Sequence, residues 1–282
     1  MSTPRLFAVL GNPIHHSLSP QLHTLFGRQT DLDIHYEKHC VEPADFSEHV
    51  QRFFADGGRG LNITLPFKED AFRLAADHAS ERARAAGTAN TLWMQDGHLH
   101  ACNTDGLGLV NDLLRQDVSL KDSRILLIGA GGATRGVMLP LLQVGCRHLH
   151  IVNRSEEKAH ALSALARTLV NAQVQISSSG FSALEGDWDI VINASSSSLS
   201  GQSLPLADSI FRADTFAYDM LYTASGDTPF LQQARQAGVS HTSDGLGMLV
   251  YQGAESFRIW NQVQPDPVAA LNELRSSLAG AA

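Results

Sequence analysis

The sequence has few of the features that mark secreted, membrane-bound or nucleic-acid-binding proteins. Only 3 of its 282 residues are cysteine, and an odd number of scattered thiols is typical of a reducing cytosol. No apolar run approaches membrane-spanning length, and Leu6–Leu10 is too short for the core of a signal peptide. A formal net charge of −8 argues against a nucleic-acid surface. These absences predict a cytoplasmic protein that binds neither membranes nor nucleic acids.

Histidine is the one abundant residue type that could suggest a metal centre. Of the 13 histidines, His98 and His100 share a strand face, as do His148 and His150. Neither pair is accompanied by a cluster of cysteines or carboxylates, so we expect no metal site. Hydrophobic residues make up 43% of the chain and charged residues 18%, which indicates an ordinary globular protein. The length favours two domains.

The strongest local signal is Arg124–Gly136, where a short apolar run ends in a cluster of glycines. Such a run predicts a buried parallel strand, and the glycines predict a turn whose backbone N–H groups hold a pyrophosphate. The match to G-x-G-x-x-G is imperfect, because Thr134 occupies the third position and a glycine follows at Gly136. A close-packed strand–helix turn without a ligand is the alternative interpretation. Strands and helices alternate from here on, which favours a doubly wound parallel sheet.

The end of the second strand of this pattern indicates which dinucleotide is bound. An acidic residue there would hold the ribose 2′-hydroxyl of NAD, but the chain reads Asn153-Arg154-Ser155. The Arg154 guanidinium suits the 2′-phosphate of NADP, and Lys158 adds positive charge one turn later. We interpret Glu156 and Glu157 as first-turn acids that the helix dipole stabilises. The pattern therefore predicts NADP rather than NAD.

Two short segments of the first hundred residues carry polar groups that a core does not need. Ser19-Pro20 predicts a helix start with Ser19 as N-cap, which leaves the hydroxyl of Ser17 for another role. Leu61–Leu65 predicts a strand with Asn62 and Thr64 on one face.

A helix follows that strand and opens with Lys68. A cation at this end opposes the helix dipole, so Lys68 is either a solvated surface residue or a functional one.

A hairpin is predicted where Thr91–Gln95 and His98–Cys102 flank Asp96-Gly97, a pair typical of type I′ turns. Because the two arms have equal length, their outer ends must lie close together. Asn90 and Asp105 are therefore expected to be neighbours in space although they are far apart in the chain.

These segments together resemble the shikimate dehydrogenase family, and the resemblance covers nearly the whole chain. Each motif is moderately specific, and their common order is highly specific. The matching motifs are Gly11–His23, Leu61–Lys68, Gly87–Leu92, Asn103–Gly108, Ile128–Gly136, Asn153–Lys158, Tyr218–Leu231 and Gly245–Gln252.

The resemblance implies an α/β protein with two domains. A discontinuous substrate domain with a mixed sheet would comprise residues 1–105 and 246–282. Residues 106–245 would form a Rossmann-type, doubly wound parallel NADP-binding domain. The implied reaction is the reversible, NADPH-dependent reduction of 3-dehydroshikimate to shikimate, a step of aromatic amino-acid biosynthesis. The sequence leaves the choice between monomer and homodimer open.

The resemblance also implies roles for particular residues. Lys68 and Asp105 would form the catalytic pair, and the hydroxyls of Ser17 and Ser19 would bind the substrate carboxylate. The remaining substrate ligands would be Asn62, Thr64, Asn90, Tyr222 and Gln252, with Asp105 also touching the substrate. The cofactor would lie on Gly129, Ala130, Gly131, Gly132, Ala133, Asn153, Arg154, Ser155, Lys158, Met220 and Gly245.

The chain departs from the family pattern at three places. Thr24 replaces the usual asparagine, and Thr223–Ser225 lacks a frequent proline. The usual Asn-Ala-Thr-Ser reads Asn193-Ala194-Ser195-Ser196, and further serines follow in place of a Gly-Met-like turn. Two alternatives stay open: a broader quinate/shikimate dehydrogenase that uses NAD or NADP, and a non-catalytic NADP-binding regulator on the same scaffold.

Overall fold

The computed structural model describes residues 4–170, 174–197, 201 and 203–281. The chain forms two compact units. Unit 1 comprises Met1–Gly108 and Val250–Ser276, and unit 2 comprises Leu109–Leu249 and Ser277–Ala282. No helix among the described residues is long and apolar enough to cross a membrane.

Unit 1 is built on a mixed five-stranded sheet in the order β2-β1-β3-β4-β5. The parallel pairs are β1 with β2 and β1 with β3, and the antiparallel pairs are β3 with β4 and β4 with β5. Its strands are β1 (Arg5–Gly11), β2 (Ile34–Cys40), β3 (Gly60–Ile63), β4 (Thr91–Gln95) and β5 (His98–Cys102). Its helices are α1 (Ser19–Gln29), α2 (Phe46–Ala55), α3 (Lys68–Leu74) and α4 (Glu81–Ala86).

Alternation along β1 supplies apolar side chains to both faces of this sheet. Ala8 and Leu10 pack with Phe46 and Val50 of α2 in one core, while Phe7 packs on the other face. The tight turn between β4 and β5 has positive φ at both Asp96 (51°) and Gly97 (77°), as a type I′ turn requires.

Unit 2 is built on a six-stranded, all-parallel sheet in the order β11-β10-β9-β6-β7-β8. Counted from β6, this is the 3-2-1-4-5-6 order of a dinucleotide-binding sheet. Its strands are β6 (Arg124–Ile128), β7 (His148–Val152), β8 (Gln175–Ser179), β9 (Ile190–Asn193), β10 (Phe216–Asp219) and β11 (His241–Ser243). Its helices are α6 (Gly132–Gln143), α7 (Glu156–Thr168) and α8 (Pro229–Gln236). The predicted fold class is confirmed.

Two helices run from one unit into the other along the chain, α5 (Asp105–Arg115) and α9 (Leu246–Asn261). A last helix, α10, spans Pro267–Ala281. The chain passes from one unit to the other between Gly108 and Leu109 and between Leu249 and Val250, inside these helices. These points lie a few residues from the domain boundaries expected at 105/106 and 245/246.

Candidate active site

The centre of the site in unit 1 is an ion pair between Lys68 and Asp105. The Lys68 Nζ lies 2.6 Å from Asp105 Oδ2, and the two side chains are only 16% and 8% exposed. Lys68 begins α3 directly after Phe67, whose buried ring stacks on Phe46. The Lys68 carbonyl also accepts a hydrogen bond of 2.8 Å from the backbone N–H of Ala89. Lys68 is thus fixed at its backbone by Ala89 and at its Nζ by Asp105.

Asn90 lies beside Asp105, as the hairpin predicted. The Thr104 backbone N–H donates to Asn90 Oδ1 at 2.9 Å, and this fixes the orientation of the amide because a backbone N–H can only donate. Asn90 Nδ2 consequently faces Asp105 Oδ1 at 2.8 Å and Gln252 Oε1 at 3.1 Å. The residue just before the hairpin, the start of α5 and α9 therefore each contribute one of these three polar side chains.

Asp105 is the first residue of α5, where the helix dipole favours a carboxylate. Its backbone N–H donates to Asn103 Oδ1 at 3.1 Å. One carboxylate oxygen accepts from Asn90 and the other accepts from Lys68, so the carboxylate cannot rotate without breaking a bond. This arrangement can hold a proton donor at a fixed position beside a reacting oxygen.

Asn62 is buried and uses its amide within unit 1. Its Oδ1 accepts from the Tyr36 hydroxyl at 2.7 Å, while Nδ2 donates to the Asn90 carbonyl and to Ser256 Oγ, both at 3.1 Å. The amide therefore links β2, β3, the residue before β4 and α9 to one another. The strand β3 spans Gly60–Ile63, so the predicted strand Leu61–Leu65 differs at both ends and Thr64 follows it directly. The Thr64 N–H donates to the Leu10 carbonyl at the start of a turn.

The expectation that Ser19 caps α1 is wrong. The helix begins at Ser19 itself, the N-cap position falls on Leu18, and no side chain caps it. Because Pro20 lacks an N–H, the first turn has one fewer donor to satisfy. The Ser17 hydroxyl accepts from the Ser19 backbone N–H at 3.2 Å and donates to the Ser19 hydroxyl at 3.1 Å. The two hydroxyls predicted to bind a carboxylate are thus adjacent.

In unit 2, the glycine turn after β6 has the geometry of a phosphate cradle. Gly129 has φ = +113°, a conformation that favours glycine, and its N–H donates to the Val152 carbonyl. A Cβ on Gly131 would meet no atom within 4 Å among the described residues. The first turn of α6, which contains Gly132 and Ala133, holds no acidic residue. The turn therefore leaves space and helix N–H groups where a pyrophosphate would lie.

The segment after β7 carries the two cations expected to select NADP. Arg154 and Lys158 are exposed, and within the described part of the chain neither forms an ion pair. The segment is folded back on itself, because Asn153 Nδ2 donates to the Ser155 carbonyl at 3.0 Å. The residues present therefore fit a 2′-phosphate.

The loop after β10 carries Met220 and Tyr222, both in unit 2. The Met220 N–H donates to the Asn193 carbonyl at 2.9 Å. Gly245 lies against this loop so closely that a Cβ would come within 2.2 Å of the Met220 carbonyl oxygen. Asp219 anchors the loop by accepting from the Leu221 N–H and the Thr228 hydroxyl. The loop is therefore held from both ends.

The serine run begins in the same unit, directly after β9. The Ser195 hydroxyl donates to Asn193 Oδ1 at 2.6 Å, and Ser197 Oγ lies 2.8 Å from Ser195 Oγ. Ser198 lies outside the described residues.

The family model for the shikimate dehydrogenase substrate binding domain matches residues 9–92. The models for shikimate / quinate 5-dehydrogenase and the shikimate 5′-dehydrogenase C-terminal domain match residues 112–200 and 245–275. A shikimate dehydrogenase (NADP(+)) from Bordetella petrii is 49% identical over 275 residues, which are 96% of each chain. The chain belongs to the shikimate dehydrogenase family.

Further relatives support the same family. A shikimate dehydrogenase (NADP(+)) from Vibrio cholerae is 48% identical and covers 98% of this chain and 97% of its own. The solved structure of shikimate 5-dehydrogenase from Thermus thermophilus in complex with NADP(H) and shikimate is 29% identical. It matches with a TM-score of 0.83 over 97% of this chain and 99% of that chain.

Several residues of this family member that hold the site together were missed by the sequence analysis. They are buried, polar and contact the predicted ligands; they are Tyr36, Thr91, Thr104 and Ser256. Ser256 follows Gln252 by four residues and so shares its helix face, which is a signal that could have identified it. The contact of Tyr36 with Asn62 has no such local signal, because it depends on the pairing of distant strands.

Proposed function

We propose that this chain catalyses the reversible, NADPH-dependent reduction of 3-dehydroshikimate to shikimate in aromatic amino-acid biosynthesis. The observation that carries the proposal is the part-buried Lys68–Asp105 pair, with Asn90 and Gln252 bonded beside it. Neutral hydrogen-bonding groups around one ion pair suit a substrate that bears several hydroxyl groups and one carboxylate.

Lys68 is the general acid of the proposed reduction. NADPH, when bound, supplies the hydride to the ketone carbon. The Lys68 ammonium gives a proton to the oxygen that becomes the new hydroxyl, and in the oxidative direction the neutral amine takes it back. Asp105 orients the Lys68 Nζ through the 2.6 Å contact and accepts from the reacting hydroxyl. Proton transfer of this kind contributes typically ~10²–10⁴-fold to the rate.

The remaining ligands divide between the carboxylate and the ring of the substrate. Ser17 and Ser19, whose hydroxyls are 3.1 Å apart, bind the carboxylate. The ring hydroxyls and the carboxylate also contact other groups that can donate or accept hydrogen bonds. These groups belong to Asn62, Thr64, Asn90, Tyr222 and Gln252.

NADP is the cofactor of this proposal. Gly129–Ala133 holds its pyrophosphate, and Asn153–Lys158 holds its 2′-phosphate through Arg154 and Lys158. Met220 and Gly245 contact the nicotinamide half. The open turn at Gly131 and the exposed cations support this assignment.

The domain assignment is also part of the proposal. Residues 1–105 and 246–282 form the substrate domain, and residues 106–245 form the NADP-binding domain. The protein acts in the cytoplasm on a small molecule, as a monomer or a homodimer.

A crossed assay tests the proposal directly. Shikimate and quinate are each offered with NADP⁺ and with NAD⁺, and the increase of the reduced nicotinamide band is followed. We expect the highest kcat/KM with shikimate and NADP⁺. Comparable turnover of quinate with NAD⁺ would favour the broader dehydrogenase, and NADP⁺ binding without any turnover would favour a regulator.

A further inference from the structure

The hydroxyl of Ser256 is the meeting point of the buried polar groups in unit 1. Ser256 is fully buried on α9. Its Oγ lies 3.1 Å from Asn62 Nδ2, 2.8 Å from Thr91 Oγ1 and 3.3 Å from Thr104 Oγ1. When its hydroxyl proton points back along the helix instead, Ser256 Oγ donates to the Gln252 carbonyl at 3.1 Å. One hydroxyl thus connects a helix to two strands and to the residue before α5.

The donor and acceptor roles along these contacts follow from the groups whose roles are unambiguous. Asn62 Nδ2 can only donate, so Ser256 Oγ accepts from it. Thr91 Oγ1 lies 2.9 Å from Asn90 Oδ1, and when it donates to this oxygen it can only accept from Ser256. The result is a directed series of hydrogen bonds that runs from Tyr36 through Asn62, Ser256 and Thr91 to Asn90.

We propose that Ser256, acting through Thr91, is a positioning residue for substrate binding, because it fixes the side chains of Asn62 and Asn90 relative to Gln252. This inference rests on the proposed function. Ser256 touches no reacting atom itself. It lies one turn beyond Gln252, whose Oε1 is bonded to Asn90 Nδ2, so it aligns this turn of α9 with the strands.

The network also indicates which kinetic constant Ser256 controls. Asn90 keeps the Thr104 backbone N–H and Asp105 as partners when Ser256 is altered, so the Lys68–Asp105 pair retains its support. Asn62 Nδ2 loses the nearer of its two side-chain acceptors and keeps the Asn90 carbonyl, while Thr91 Oγ1 is left with the longer contact of 3.5 Å from Asn62 Nδ2. The loss therefore falls on the alignment of substrate-binding groups rather than on proton transfer.

The test measures steady-state kinetics of Ser256→Ala, Thr91→Val and Thr91→Ser with shikimate and NADP⁺. We expect Ser256→Ala and Thr91→Val to raise the KM for shikimate about tenfold, because each leaves a buried polar group without its partner. The kcat should fall less than about threefold, and the KM for NADP⁺ should not change. Thr91→Ser keeps the hydroxyl and should restore nearly the normal KM.

The double variant and a control separate positioning from a loss of stability. Because both changes break the same series of bonds, Ser256→Ala/Thr91→Val should raise the KM little more than either change alone. Ser163→Ala removes another buried hydroxyl, one that donates to the His160 carbonyl in unit 2, and should lower the melting temperature without affecting the KM for shikimate.

Three results would overturn the inference. A normal KM for shikimate in Ser256→Ala would overturn this inference and leave the proposed function intact. Equal changes of that KM in Thr91→Ser and Thr91→Val would do the same. Absence of shikimate oxidation by the wild-type protein would instead overturn the proposed function, and this inference with it.

Discussion

The buried imidazole of His150 should make unit 2 sensitive to acid. His150 lies in β7, three residues before Asn153, and is only 9% exposed. Its ring nitrogens contact Ser177 Oγ at 2.7 Å and Ser179 Oγ at 2.9 Å on β8. Burial lowers the pKa of His150 to about 4, and the neighbouring His148 contributes to this shift.

The sign and size of the effect follow from the two protonation states. The pKa in the folded protein lies below the value of about 6.5 in the unfolded chain, so the unfolded chain binds more protons between these values. Stability that is present above pH 6.5 is therefore lost as the pH falls toward 4. The full loss is about 3 kcal/mol, of which about 2 kcal/mol falls between pH 7 and pH 5.

The assay is thermal or urea unfolding of wild type and His150→Gln at pH 7 and pH 5. A glutamine amide can still bond a serine hydroxyl but does not titrate, so the variant should lose about 2 kcal/mol less than wild type over this interval. His160→Gln, at a side chain that is 57% exposed, is the matched control and should follow wild type. An equal loss in His150→Gln and wild type would refute the reasoning.

Two further substitutions test unit 2. Arg154→Ala should raise the KM for NADP⁺ about tenfold and leave the kinetics with NAD⁺ unchanged, because it removes the proposed charge-assisted contact to the 2′-phosphate. Unchanged kinetics with both nucleotides would contradict the role of Arg154. Gly245→Ala places a Cβ within 2.2 Å of the Met220 carbonyl and should lower the melting temperature and weaken NADP⁺ binding. Gly280→Ala, which meets no described atom within 4 Å, should do neither, and a Gly245→Ala protein with normal stability would refute the close approach.

The parts of the fold that local rules decide could be predicted from the sequence. Asp96-Gly97 identified the turn, and the two arms of the hairpin have the predicted bounds. The proximity of Asn90 and Asp105 was predicted from the equal lengths of the two arms. The structure confirms it, with Asn90 Nδ2 lying 2.8 Å from Asp105 Oδ1. Alternation of strands and helices after residue 123 sufficed for the parallel sheet.

Local rules were less reliable where an element begins or ends. Ser19 followed by proline predicts an N-cap, but the helix starts one residue earlier than that pattern implies. The strand through Asn62 ends at Ile63, although the Thr64 N–H still donates to the Leu10 carbonyl of β1, and Pro66 has no N–H to continue the ladder. Pairing with the rest of the unit decides these boundaries.

The supporting residues of the site could not be predicted, because their contacts join distant parts of the chain. Tyr36 reaches Asn62 across the sheet, and Ser256 reaches it from a helix 194 positions later. A serine or threonine in a buried element is compatible with many roles. The register of β1 against β2 and β3, that of β3 against β4 and the packing of α9 place these hydroxyls together.

The central claim is that Lys68 carries the proton in the reaction, and the kinetics of Lys68→Ala test it most directly. We expect kcat for shikimate oxidation to fall by ~10²–10⁴-fold while the KM for shikimate changes little, since the hydrogen-bonding ligands remain. Lys121→Ala, at an exposed lysine in unit 2, is the control and should keep wild-type kinetics. A Lys68→Ala protein whose kcat stays within about threefold of wild type would contradict the account.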